Sequence, residues 1–213
     1  MEIKQKEKNK KSYVFIVIGI VFIIIGIIFI LFDIIPDFIK NESEKVALKE
    51  FYDNQQNINE ENIIENIIDT NISEKNTQEK INYISVIRIP KINLEKGIVS
   101  KNSKYNDIKY GIEILEESDM PNTENGNVIL ASHSGNSNIS YFKDLDKLVA
   151  DDEIEITYNK HTYIYKVKKI YDVNKVGDVT IEKIDNKSQL TLITCRDKTD
   201  KQIVIISELV NIK

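Results

Sequence analysis

Cys195 is the only cysteine in 213 residues, and it closes the run Leu190-Thr191-Leu192-Ile193-Thr194-Cys195. That run is apolar and β-branched, which predicts a strand buried on at least one face. The polar stretch Arg196-Asp197-Lys198-Thr199-Asp200-Lys201 follows at once and ends it. A strand that carries a lone thiol to its own C-terminal rim suits a nucleophile, because the ladder fixes the side chain and the adjoining loop leaves it open to substrate. The competing reading is a small buried hydrophobe, the commonest fate of a free cysteine. A thiol nucleophile needs a base, and the chain offers two histidines, His133 and His161. His161 lies beside the turn Asn159-Lys160 and reads as a solvated turn residue. His133 follows the apolar run Val128-Ile129-Leu130-Ala131 and is flanked by Ser132, Ser134 and Gly135. Like Cys195, it sits at a strand end next to a loop. A Cys/His couple remote in sequence and adjacent in space is a nucleophile with its base. An ordinary loop histidine is the alternative.

The elements that must bring them together are short strands. Tyr83 to Ile89 is β-rich and ends at Pro90; Leu94 to Val99 reads as a second strand. From Lys101 to Ser118 the pattern is mixed, with Tyr105, Ile108, Ile112 and Leu115 at near-helical spacing. Met120 to Asn127 is turn material. Ser140 to Leu148 predicts one or two helical turns. Glu153 to Tyr158 and Thr162 to Val173 alternate around Asn159-Lys160 and predict a hairpin. Val179 to Ile184 is a connector, and Leu190 to Cys195 and Ile203 to Val210 are the last strands. Many short strands with few helices over residues 81–213 predict a closed or nearly closed β-barrel.

The N-terminal part is of another kind. Tyr13 to Phe32 is an uncharged run of twenty residues, long enough for the roughly 30 Å hydrocarbon core of a bilayer. We expect a basic cytoplasmic tail over 1–12, a transmembrane helix over 13–35 and a stalk or linker over 36–80. No Ala-x-Ala-like site follows the span, which argues against a cleaved signal peptide. Lys4, Lys6, Lys8, Lys10 and Lys11 precede it, while Asp33 and Asp37 follow it. The positive-inside rule then places the N-terminus in the cytoplasm and the remainder outside the cell membrane, as a single-pass protein. In the stalk, Ile63-Ile64 and Ile67-Ile68 allow a short amphipathic helix.

Composition excludes several classes. The net charge is −5, and the first twelve residues hold five lysines and two glutamates, so the rest carries −8. Such a domain does not hold nucleic acid or an anionic envelope by its overall charge. One cysteine forms no internal disulfide, and one cysteine with two histidines falls short of the four ligands usual in a structural zinc site.

Thr191 to Cys195 resembles the TLxTC signature of the sortases, the membrane-anchored cysteine transpeptidases of Gram-positive bacteria. Ala131-Ser132-His133-Ser134-Gly135 resembles the family's short strand followed by its catalytic histidine. The segments Asn127 to Ala131 and Tyr141-Phe142 to Leu148 fit the same pattern, and the resemblance runs from Tyr83 to Val210. It implies a mainly β fold, an eight-stranded barrel with short helices behind one N-terminal transmembrane helix. It also implies that Cys195 attacks a peptide carbonyl in an LPxTG-like C-terminal sorting signal of a surface protein. His133 would serve as acid and then base, and a cell-wall precursor amine would resolve the thioester. The family usually has an arginine at or near the start of the strand after the cysteine, where this chain has Gln202. Arg196 is either a solvated loop cation or, like Gln202, a candidate donor to the substrate carbonyl or oxyanion. No cofactor is expected. Calcium on Glu113, Glu116, Glu117 and Asp119 is a lesser expectation than an acidic solvated face. The short Val173 to Leu190 connection fits housekeeping-type or class D-like sortases. No second apolar span after Val210 and no lid segment are evident, which argues against a pilus polymerase. Two other readings stand beside these: a catalytically impaired, tethered β-domain that binds a partner, and an endopeptidase that only hydrolyses.

Overall fold

The structure is a computed structural model and describes residues 18–26, 43–55, 81–176, 181–196 and 198–213. The chain divides into two units, Met1–Glu44 and Lys45–Lys213. In the first, residues 18–26 form a helix, α1, whose apolar side chains are exposed. Among the described residues no helix is long and apolar enough to cross a membrane. The rest of the expected span, and the isoleucine pairs at 63–64 and 67–68, lie outside the described residues.

The second unit is a single eight-stranded sheet. Its strands are β1 (Tyr83–Ile89), β2 (Leu94–Val99), β3 (Glu113–Ile114), β4 (Asn127–Ala131), β5 (Glu153–Tyr158), β6 (His161–Asn174), β7 (Gln189–Cys195) and β8 (Lys201–Ile212). Their order is β2-β1-β5-β6-β8-β7-β4-β3, and the edge strands β2 and β3 touch, so the sheet nearly closes on itself. Every pairing is antiparallel except β4 with β7. The chain leaves β4, runs through the β5–β6 hairpin and returns beside β4 in the same direction.

Alternation along the strands divides the apolar residues into two groups. Ile87, Ile89, Val128, Leu130, Tyr165, Leu190, Leu192, Ile203 and Ile205 fill the barrel. Ile129, Ile193, Val204 and Ile206 form a smaller cluster on the opposite face, with Leu115, Ala131, Tyr171 and Val173 against it. Burying a Leu or Ile side chain contributes roughly 1.5–3 kcal/mol, so the inner group dominates stability. A helix over residues 43–55, α2, packs on the outside of β1 and β2. Phe51 is buried there, and Tyr52 Oη donates to Glu95 Oε1 at 2.7 Å. Burial and then the Glu95 carboxylate push the Tyr52 hydroxyl well above its ordinary range.

Two expectations change in detail. The near-helical spacing from Tyr105 to Leu115 gives no helix. Asn106 instead clasps Ile114, accepting its N–H at 2.8 Å and donating to its carbonyl at 2.9 Å. Asp107 Oδ1 accepts the Lys109 N–H at 2.8 Å. Such side-chain bonds to nearby backbone offer the chain an alternative to helix, and here a series of turns results. The two-residue strand β3 was not foreseen. Ser140 to Leu148 does form turns, ending in a 3-10 turn at Leu145–Lys147.

Candidate active site

The site is built on the one parallel pair. In its register Asn127 faces Gln189, Ile129 faces Thr191 and Ala131 faces Ile193. Beyond the ladder, the Ser132 N–H still reaches the Ile193 carbonyl at 3.3 Å. His133 lies two residues beyond Ala131, and Cys195 two beyond its partner Ile193. Parallel strands end at the same rim, so both residues lie at the mouth of the barrel. Cys195 continues the parity of Ile193, which with Ile129 and Ala131 belongs to the outer cluster. Both side chains are half-buried.

The two threonines of the Thr191–Cys195 run have a mechanical role. Thr191 Oγ1 donates to Asn127 Oδ1 at 2.9 Å and accepts from Gln189 Nε2 at 3.0 Å. Thr194 Oγ1 donates to the Ser132 carbonyl at 2.7 Å. Each hydroxyl bolts the cysteine strand to the histidine strand, the second at the residues directly before Cys195 and His133. Both bonds are buried, where an unmade partner is expensive and register is correspondingly well held.

The remaining expected residues separate. Gln202 pairs with Cys195 across β7–β8 and therefore lies on the same face, half-buried. Arg196 has the opposite parity, and its Nε donates to Asp172 Oδ1 at 2.7 Å. Its N–H donates to the Lys201 carbonyl at 2.9 Å, closing the loop that follows Cys195. His161 begins β6 opposite Tyr158, exposed, with Nδ1 2.8 Å from the Asn159 carbonyl. β8 runs from Gln202 beside Cys195 to Ile212 beside Tyr163. His161 thus lies at the other end of the barrel, roughly 30 Å from Cys195 along that strand.

Two loops shoulder His133. Ser132 Oγ donates to the Gly111 carbonyl at 2.9 Å, which ties loop 100–112 to the residue before His133. From the other side, the Phe142 N–H donates to the His133 carbonyl at 3.1 Å. The Tyr141 ring sits over Gly111, where a Cβ would lie only 3.1 Å from it. Asp107, in the first loop, is close enough to His133 to interact with it electrostatically. The Lys109 N–H and then the Lys109 ammonium hold the Asp107 carboxyl below its ordinary range, with a smaller contribution from His133.

Of the acidic residues weighed for calcium, two serve the backbone. Asp119 Oδ2 accepts the Asn127 N–H at 2.9 Å, and Glu113 Oε2 the Ile108 N–H at 3.3 Å. Among the described residues no group of three or more His, Cys, Asp or Glu side chains is placed to hold a metal ion. A cavity of about 310 Å³ lies away from this rim, between α2 and the barrel, lined by Phe51, Asn54, Tyr83 and Tyr158 among others; neither the thiol nor an imidazole faces it.

Sequence reading missed two features. The Asp172 partner of Arg196 depends on β6 lying beside β8, which no local pattern reveals. The repeated pairs Lys104-Tyr105 and Lys109-Tyr110 are visible in the sequence, but the edge-to-face packing of Tyr105 on Tyr110 is not.

The family model described as the sortase domain matches residues 87–210. Among solved structures, sortase C1 from Streptococcus agalactiae superposes with a TM-score of 0.55 at 26% identity, over 63% of this chain and 70% of that one. A lid mutant of sortase A from Corynebacterium diphtheriae does so with a TM-score of 0.54 at 26% identity, over 61% and 70%. No curated protein matches the chain.

Proposed function

The chain belongs to the sortase family, and from that premise we propose that it is a membrane-tethered cysteine transpeptidase with Cys195 as nucleophile and His133 as acid and base. The observation that supports this reading is the parallel β4–β7 register, whose last pair, Ala131 with Ile193, lies two residues before His133 and Cys195. The Cys195 thiolate attacks a peptide carbonyl in a C-terminal LPxTG-like sorting signal, and His133 protonates the departing amine. A thioester on Cys195 remains. A cell-wall amine then attacks it, His133 takes the amine's proton, and the new amide leaves the thiol free.

Gln202 serves as donor to the developing oxyanion. It shares the Cys195 face, whereas Arg196 lies on the other face and is engaged by Asp172. A neutral amide stabilises an oxyanion less than a guanidinium does. Slow acylation follows from that choice, and Gln202→Arg is expected to raise kcat/KM by about tenfold, while Arg196→Ala changes it little. The N-terminal run from Tyr13 to Phe32 anchors the enzyme, with the barrel on the outer side of the membrane.

The test uses an LPxTG-type peptide with and without an added amine. Cys195→Ala and His133→Ala are each expected to abolish cleavage, while His161→Ala cleaves as the wild type does. A ligated product that appears only with the amine distinguishes transfer from hydrolysis. Unchanged turnover in both of the first two variants would end the proposal.

A further inference from the structure

One buried amide outside the proposed Cys195–His133 pair carries more connections than its place in the sheet requires. Gln189 opens β7, with 2% of its surface exposed. Its backbone pairs with Asn127 and Glu208 on the neighbouring strands. Its side chain makes three further bonds. Oε1 accepts the Ile184 N–H at 2.9 Å, and Nε2 donates to the Glu182 carbonyl at 2.9 Å and to Thr191 Oγ1 at 3.0 Å. A donor on one side and an acceptor on the other fix which way the amide points. The group thus joins segment 181–184, which leads into β7, to the buried Thr191–Asn127 bond.

Segment 181–184 forms neither helix nor strand. Two of its other polar fastenings are exposed: Lys169 Nζ donates to Glu182 Oε1 at 2.7 Å, and the Glu182 N–H donates to Tyr171 Oη at 3.3 Å. Exposed contacts of this kind contribute little, whereas buried bonds are costly to leave unmade. Gln189 is therefore the firm hold on the segment. The apolar side chains of the segment show what that hold serves. Ile181 and Ile184 pack against the outer cluster of Ile129, Ile193, Val204 and Ile206. Ile193 lies two residues before Cys195, and Val204 two after Gln202, the residue paired with Cys195. Gln189, Thr191, Ile193 and Cys195 share one parity along β7. The segment therefore borders the face of the sheet that leads to the thiol. A peptide whose carbonyl reaches Cys195 and whose body lies along that face meets the segment. It does not meet Gln189, which starts the strand about 20 Å before Cys195.

We propose that Gln189 is a positioning residue for the sorting-signal peptide: its side-chain amide holds segment 181–184 as one wall of the peptide site. This rests on the transpeptidase reading above. Gln189 touches neither the reacting atoms nor the peptide and acts only through the segment. Contacts made equally by the bound peptide and the transition state set KM and leave kcat alone. Loosening the wall therefore weakens peptide binding without slowing the step at Cys195. The Thr191 donation to Asn127 does not need the amide, so the β4–β7 register outlasts its loss.

The test uses the full chain. In the wild type the Ile184 N–H is expected to be protected from hydrogen exchange by about a hundredfold or more. An unprotected Ile184 overturns the clamp without any variant. Gln189→Met, of similar volume and without an amide, is expected to remove that protection, to raise KM for an LPxTG-type peptide about three- to tenfold and to keep kcat within about twofold. Alkylation of Cys195 by iodoacetamide, which needs no peptide site, is expected to keep its rate. An unchanged KM in a variant whose Ile184 exchanges freely overturns the wall. So does a loss confined to kcat, or slower alkylation, because either would mean that the amide acts through the sheet. A measurement that needs no change at Gln189 uses Cys195→Ala, which binds the peptide without turning it over. The peptide is expected to slow exchange further across residues 181–184, and no slowing overturns the wall. Thioester formation on the wild type is followed separately by mass, so an enzyme that never acylates fails the transpeptidase reading, while Ile184 protection reports on the clamp alone.

Discussion

The barrel fastens polar side chains in opposite ways on its two sides. Across β2-β1-β5, Arg88 stands between Glu95 and Glu155 on neighbouring strands and binds Glu155 at 2.8 Å, with its side chain 50% exposed. Across β4-β7, the fastenings are neutral and dry: Gln189 to Thr191 to Asn127, and Thr194 to Ser132, with both threonines buried. Solvated ion pairs lose to water most of what they gain. A buried hydroxyl has no such substitute, and losing it strands its partner without one. The side that carries the proposed pair, His133 and Cys195, is therefore the side built from buried neutral bonds.

The comparison is broken most directly on the buried side. Thr191→Val removes one donor and one acceptor at once and leaves Asn127 Oδ1 and Gln189 Nε2 each short of a partner. It is expected to lower unfolding stability by about 2–3 kcal/mol in urea titration. Thr194→Val strands only the Ser132 carbonyl, for about 1–2 kcal/mol. Its effect on turnover should nevertheless be the greater of the two, because that bond adjoins His133 and Cys195 while Thr191 lies four residues back. Equal losses of kcat/KM in the two variants would mean that the threonines only stabilise the sheet and do not set the register of the site.

These roles explain how much of the molecule the sequence made legible. The strands were readable because β-branched runs alternate or stay apolar between clear turns, and seven of the eight appear where the pattern put them. β3 escaped because two residues carry no period. The turns from Ser100 to Gly111 escaped because Asn106 and Asp107 act through side-chain bonds that hydrophobic spacing does not register. Cys195 and His133 stood out because each ends an apolar run. The choice between Arg196 and Gln202 did not, since it turns on strand parity across β7–β8 and on Asp172, a residue 24 positions away.

A smaller effect is expected where α2 meets the barrel. Tyr52→Phe keeps the ring but removes the bond to Glu95. The group is about half-buried, so the loss discounted for solvent is below about 1 kcal/mol. Turnover is expected to stay at the wild-type value, because nothing in that contact leads to the β4–β7 rim. A fall in kcat/KM without a fall in stability would show that the helix acts on the site and that the two sides are coupled.

The smallest effect is expected at Arg88. Its guanidinium is held further above its ordinary range by the Glu155 hydrogen bond and then by that residue's charge, yet half of its side chain stays exposed to solvent. Arg88→Ala leaves Glu95 and Glu155 on strands flanking β1, about 10 Å apart. At about 0.15 M salt the Debye length is about 8 Å, so their repulsion is mostly screened. The urea midpoint is therefore expected to match the wild type at that salt and to fall slightly at about 0.01 M, where screening reaches only to about 30 Å. If Arg88→Ala destabilised as much as Thr191→Val at the higher salt, the exposed ladder would be as firm as the buried one. The contrast between the two sides would then not explain why the proposed catalytic pair sits where it does.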